Sequence, residues 1–194
     1  MRKVINLCLL VVTILLSGAV NAAGKVSVEI TNSSVINVSL TKVLKGEKLI
    51  LKDFYGEVLF NTTLETSSNY QKNFNLSNVP LGLYFVESES LYEIKITPIL
   101  KNNKGISLID TSLVTFFKPQ VSSENSIVKV LLNNTRNYPV DIIIYDEDQV
   151  VLEEIEGNKE ASLKRVYDFS EMPKGEYKLF FTLKDRTFIH NISI

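Results

Sequence analysis

Residues 49–60 read LILKDFYGEVLF and residues 73–86 read NFNLSNVPLGLYFV, while residues 142–153 read IIIYDEDQVVLE and residues 166–179 read VYDFSEMPKGEYKL. At a constant offset of 93 residues and with no gap, Asp53 falls on Asp146, Val58 on Val151, Leu59 on Leu152, Ser77 on Ser170, Pro80 on Pro173, Gly82 on Gly175 and Tyr84 on Tyr177. A one-residue change of register carries the match upstream, where SVINVSL from Ser34 meets SIVKVLL from Ser126. Self-similarity at a fixed spacing is the signature of one structural unit written out more than once. The expected organisation is two tandem copies of a small domain, residues 23–100 and 120–194, with residues 101–119 as a linker or as the first strand of the second copy.

The chemistry of each copy is that of strands. Val26, Val28 and Ile30 alternate with polar residues, as do Tyr92, Ile94 and Ile96, and a period of two places one face in a core and the other in water. Ile142, Ile143 and Ile144 form a continuous β-branched run, the pattern of a central strand covered on both faces. Turn residues divide the apolar stretches at Lys45 to Glu47, Asp53 to Gly56, Pro80 to Gly82 and Pro173 to Gly175. That spacing predicts six or seven strands in each copy.

In each copy a proline is followed two residues later by glycine and four residues later by tyrosine: Pro80, Gly82, Tyr84 and Pro173, Gly175, Tyr177. Proline fixes φ and glycine tolerates positive φ, so the pair can turn the chain between two strands. The tyrosine then opens the next strand, with its ring on the core edge and its hydroxyl within reach of the loop backbone. This resembles the tyrosine corner of immunoglobulin-like sandwiches. Each copy is similar to an immunoglobulin-like or fibronectin III-like antiparallel β-sandwich, and in particular resembles the C-terminal sorting domain of the bacterial type IX (Por) secretion system. The residues that carry the resemblance are Asp53, Gly56, Val58, Leu76, Ser77, Pro80, Gly82 and Tyr84, and in the second copy Asp146, Val151, Phe169, Ser170, Pro173, Gly175 and Tyr177. The chain departs from that family at Gln149, where a turn glycine is expected, and at its end, His190 to Ile194, which lacks a basic tail. The whole chain also resembles uncharacterised exported proteins of flavobacterial type, a similarity that implies a fold and no activity.

The chain begins Met1, Arg2, Lys3, continues with an apolar run from Val4 to Leu16, and reaches small residues before Ala22. A basic head, an apolar centre and a small-residue cleavage site make a secretory signal peptide over residues 1–22. The apolar run is shorter than the ~20 residues that span a bilayer, so no transmembrane anchor is expected in the mature chain. The protein is expected to be exported, to the periplasm, the envelope or the outside of the cell. Cys8, the only cysteine, lies in the leader, so the folded part is expected to be held by packing without disulfides.

Catalytic constellations are sparse. His190 is the only histidine, in what reads as the last strand, and no Gly-x-Ser-x-Gly elbow accompanies it. A serine triad needs a base that titrates near neutrality, so His190 reads as an ordinary strand residue. Zinc sites need several His or Cys ligands, and phosphate-binding Gly-rich loops are missing. Neither a cofactor nor a metal is expected. Asp146, Glu147 and Asp148 gather at a turn without calcium-loop spacing and read as a solvated hairpin. With 21 Lys and Arg against 22 Asp and Glu, interleaved along the chain, no nucleic-acid footprint is present.

Phe54 and Tyr55 fall at a hairpin turn, where exposed aromatics mark recognition surfaces. Folding back of one ring over the sandwich end is the plainer alternative. The reading that results is a non-enzymatic exported sandwich protein that binds or supports a protein or glycan of the cell envelope. A sorting module, a two-domain periplasmic chaperone and a small carbohydrate-active protein are the alternatives.

Overall fold

The computed structural model describes residues 24–65, 68–109, 113–156 and 161–194. The leader expected over residues 1–22 lies outside the described residues. No helix among them is long and apolar enough to cross a membrane.

The chain is all-β and its strands are antiparallel. The first nine are β1 (Lys25–Asn32), β2 (Val35–Thr41), β3 (Lys48–Asp53), β4 (Val58–Thr63), β5 (Tyr70–Asn75), β6 (Gly82–Glu89), β7 (Glu93–Asn102), β8 (Gly105–Leu108) and β9 (Val114–Phe117). Seven more follow: β10 (Gln120–Glu124), β11 (Ile127–Asn133), β12 (Val140–Asp146), β13 (Gln149–Glu156), β14 (Ser162–Asp168), β15 (Glu176–Leu183) and β16 (Arg186–Ser193). A three-stranded sheet β1-β2-β5 faces a sheet ordered β4-β3-β6-β7-β8, with β9 also paired to β7. The order recurs in the second half, where β10-β11-β14 faces β13-β12-β15-β16.

Each pair of sheets closes on its own apolar interior. Ile36, Val38, Leu40 and Phe74 meet Leu49, Leu51, Tyr84, Val86 and Ile99 in the first. In the second, Val128, Val130, Leu132 and Leu163 meet Ile142, Ile144, Tyr177, Leu179 and Phe181. Burial of a side chain of this size contributes about 1.5–3 kcal/mol, so two such interiors can sustain a fold without covalent staples.

The two corners share one geometry. The Tyr84 hydroxyl donates to the Pro80 carbonyl at 2.7 Å, and the Tyr177 hydroxyl donates to the Pro173 carbonyl at 2.7 Å. Upstream, Leu76 N donates to Ser34 O and Phe169 N to Ser126 O, each at 2.8 Å. Asn75 and Asp168 each accept the backbone N–H two residues on, from Ser77 and Ser170, at 2.9 Å. The glycines differ from expectation: Gly82 takes φ 156°, whereas Gly175 is not among the residues with positive φ. The turn therefore rests on proline and the tyrosine hydroxyl more than on a left-handed glycine.

Three further readings change. Within residues 101–119, the described stretches 101–109 and 113–117 belong to the sheet of the first half, not to a linker or to the second half. β7 runs through to Asn102, Lys101 to Gly105 make a hairpin into β8, and β8 and β9 both pair with β7. The reason is visible at Lys101, a polar residue buried in place: its Nζ donates to the carbonyls of Leu76, Ser77 and Val79 and so ties the segment to the first corner. Among the described residues the first half accordingly has nine strands, not six or seven. Finally, β12 is central, but only Ile142 and Ile144 are buried, while Ile143 on the opposite face is half-covered.

Removing one corner hydroxyl leaves a loop carbonyl without its donor, at a typical net cost of about 1 kcal/mol. Tyr84→Phe and Tyr177→Phe are each expected to lower the unfolding free energy by about that amount in urea titrations. A change under a few tenths of a kcal/mol in both variants would remove the corners from the account.

Candidate functional site

The alternation along β6 and β7 puts apolar side chains on both faces of the six-stranded sheet. Tyr84, Val86 and Ile99 point into the first interior. Leu83, Phe85 and Glu87 on β6, Ile94, Ile96 and Pro98 on β7, and Val114 and Phe116 on β9 have the opposite parity and line the outer face. The period-two pattern of Ile94 and Ile96 is thus real, but the face it buries is not the sandwich core. These residues form a separate cluster with Phe116, against which Phe85, Val114, Tyr138 and Phe188 pack.

Tyr138 and Phe188 belong to the second half, so this cluster is the junction. Asn134, buried in the β11–β12 loop, shapes it: its Nδ2 donates to Tyr138 O at 2.7 Å and its Oδ1 accepts from Tyr138 N at 3.0 Å. The loop so held stacks Tyr138 on Phe116, with centroids 5.5 Å apart and planes 18° from parallel. Arg136 Nη2 donates to Leu113 O at 2.7 Å across the same junction.

One acidic residue lies inside this apolar surface. Glu87 is only 4% exposed, and its Oε1 accepts from Lys52 Nζ and from Arg186 Nη2, each at 2.7 Å. Arg186 comes from the second half, at the start of β16, and its guanidinium lies over the Phe116 ring with Cζ 5.0 Å from the centroid. Lys184, beside it in the β15–β16 turn, has Nζ 5.5 Å from the centre of the Tyr138 ring. On the neighbouring rung Glu89 pairs with Lys118 at 2.8 Å and more loosely with Lys48 at 3.8 Å.

The two halves do not close completely. A cavity of about 570 Å³ remains between the outer face of the six-stranded sheet and the β15–β16 turn. Leu83, Phe85, Ile96 and Pro98 form its floor, Lys184, Asp185 and Arg186 one wall, and the turn from Asp53 to Gly56 the other. That turn is built by Asp53, whose Oδ1 accepts from Tyr55 N at 2.9 Å and Glu57 N at 2.8 Å. Gly56 sits at φ 89°, a conformation costly for any side chain that carries a Cβ. The loop so fixed carries Phe54 and Tyr55, 64% and 91% exposed and edge-to-face at 5.6 Å. Neither ring folds back over the sandwich end. Both stand at the mouth of the cavity.

The second half has no such loop. Asp146 pairs directly with Gln149, so Glu147 and Asp148 make a two-residue turn, and Glu147 supplies the positive φ that glycine supplies in the first. Pro80, Gly82 and Tyr84, and Pro173, Gly175 and Tyr177, lie at the corners and do not line the cavity. His190 lies in β16, edge-to-face with the buried Phe181 ring. Burial pushes its pKa down, helped by the nearby Lys118 charge and opposed by a hydrogen bond to Pro119. His190 is half-buried and lines no part of the cavity. Glu87, Arg186, Tyr138 and Asn134 escaped the sequence reading. The signal was the unbroken run Leu83 to Val86, which needs cover on both faces of its strand.

No family model matches the sequence, and no curated protein matches it. Among solved structures, the chain is similar to the BSP domain of a biofilm-associated protein, at 12% identity over 89% of this chain with a TM-score of 0.27. It is also similar to the ligand-binding domain of human OSCAR, at 7% identity over 89% of this chain with a TM-score of 0.26. The chain spans 29% of the length of the first and 98% of the second.

Neutralising Glu87 strands two cations at a largely buried position, whereas Glu89 and its partners are better solvated. Unpaired buried charge is the costlier loss. Glu87→Gln is expected to lower the urea unfolding free energy by about 2 kcal/mol, and Glu89→Gln by under about 1 kcal/mol. Equal effects would show that the Glu87 cluster does not hold the junction.

Proposed function

We propose that this chain is an exported, non-enzymatic binding protein that meets a protein or glycan of the cell envelope at the mouth of the junction cavity. The observation that carries the reading is the Phe54 and Tyr55 pair. Two aromatic rings are held in water by a loop that Asp53 and Gly56 make rigid, beside a concave apolar surface. Rigid exposed aromatics next to a pocket supply contact area at small ordering cost and are typical of binding hot spots. Two of the carboxylates around the cavity support binding over catalysis. Asp53 is engaged by backbone amides and Glu87 by two cations, so both are committed to holding the fold.

The test is retention from detergent-solubilised envelope on the immobilised protein, compared with a Phe54→Ser/Tyr55→Ser variant of equal melting temperature. A component retained by the native protein and at least about tenfold less by the variant is expected, since each hot-spot aromatic carries about 2 kcal/mol or more. No retained component, or equal retention by both proteins, contradicts the proposal.

A further inference from the structure

The end of the first half opposite the Phe54 and Tyr55 turn carries a different kind of surface. The start of β1, the β2–β3 turn, the β6–β7 turn and the end of β9 come together there, through the pairs Lys25 with Thr41, Lys48 with Glu89 and Glu93 with Phe117. Two leucines stand in water at this end. Leu44 is 52% exposed beside the buried Val43, and Leu91 is 68% exposed beside the exposed Tyr92. Both turns are pinned. Glu47 N donates to Leu44 O at 3.2 Å and Gly46 N to Leu64 O at 2.8 Å, with Gly46 at φ 92°. In the other turn, Ser90 Oγ accepts from Tyr92 N at 3.3 Å and from Glu93 N at 3.2 Å, and Ser90 N donates to Glu93 O at 2.8 Å.

The charges around these tips are unevenly matched. Glu93 pairs with Lys95 at 2.6 Å, Glu89 pairs with Lys118 at 2.8 Å and more loosely with Lys48, and Glu47 is buried. Lys25, Lys42 and Lys45 are exposed and have no ion pair among the described residues, and the one exposed carboxylate beside them is Glu65. Leucines held outward between unpaired lysines complement the headgroup region of an anionic bilayer, which accepts apolar tips at its acyl boundary and attracts lysines through its surface potential. A tyrosine, with an apolar ring and a polar tip, suits the same depth. We infer that the first half docks by this end on an anionic phospholipid surface, with Leu44 and Leu91 inserted and Lys25, Lys42 and Lys45 against the headgroups. The chain also enters the fold here, where Lys95 Nζ donates to Gly24 O at 3.3 Å. The six residues of β3 put the Asp53 turn about 20 Å away at the other end, so the docked protein holds Phe54 and Tyr55 clear of the bilayer. Docking here needs nothing from the cavity.

Flotation of residues 23–194 with vesicles of phosphatidylglycerol and phosphatidylethanolamine, and with phosphatidylcholine vesicles as the neutral control, tests this. The leader is left off because its apolar run would enter lipid by itself, and both interiors draw only on residues from Val26 onward. Binding to the anionic vesicles is expected, at least about tenfold tighter than to the neutral ones and weakened by high salt. Lys42→Gln/Lys45→Gln should weaken it by about tenfold or more. Leu44→Ser/Leu91→Ser should do the same. All of these positions are exposed, so the melting temperature should not move. The chain has no tryptophan, so Leu91→Trp gives a single reporter, whose emission should shift to the blue on the anionic vesicles. No binding to the anionic vesicles, equal binding to both kinds, unchanged binding by either double variant, or an unshifted emission overturns the inference. None of these variants touches Phe54 or Tyr55, so failure here leaves the binding role of the cavity mouth standing.

Discussion

The outer face of the six-stranded sheet carries Leu83, Phe85, Ile94, Ile96, Val114 and Phe116, and a face of that composition is unstable in water. Antiparallel sheets ordinarily bury one face and hydrate the other. Here both faces are apolar, so something must cover the second, and the Tyr138 loop with the β15–β16 hairpin does so. The remaining features of the junction follow from that demand. Asn134 shapes the loop that delivers Tyr138, and Arg186 reaches across to Glu87, the more deeply buried of the two carboxylates that β6 carries on that face.

Cover is incomplete. The β15–β16 turn meets the β6–β7 face at one end and leaves the other open beside the Asp53 loop. What is left is an apolar hollow with one ion cluster at its base and two aromatic rings at its mouth. The equivalent loop of the second half is a two-residue turn with Glu147 and Asp148 in place of aromatics. The hollow is therefore a property of the first half's longer turn together with the junction, not of the sandwich as such.

The fold class was legible because its signals are local. Period-two alternation, β-branched runs and proline-led turns act over a few residues, and so does the reach of the Tyr84 hydroxyl to Pro80. Phe54 and Tyr55 were legible as turn aromatics for the same reason, but the plainer expectation, one ring folded back over the sandwich end, is not what the turn adopts. The fate of residues 101–119 was not, because polar residues around a glycine look alike in a linker and in a hairpin. Only the long-range bonds from Lys101 to the first corner distinguish them. The ion cluster was equally hidden, since Glu87 and Arg186 are 99 residues apart and ordinary by composition. Alternation also reports that a face is buried without reporting against what, which is why Ile94 and Ile96 pointed to a core and proved to line a junction.

A covered apolar face, a stacked Phe116 and Tyr138, and a buried carboxylate shared between halves together imply that the two halves keep one fixed relation. The direct measurement is the distance between spin labels at Asn61→Cys in β4 and Lys178→Cys in β15, both exposed positions, in a chain carrying Cys8→Ser. One narrow distance distribution, unchanged by moderate salt, is predicted. A broad distribution, as for two bodies swinging on a tether, would contradict the account and remove the cavity with it.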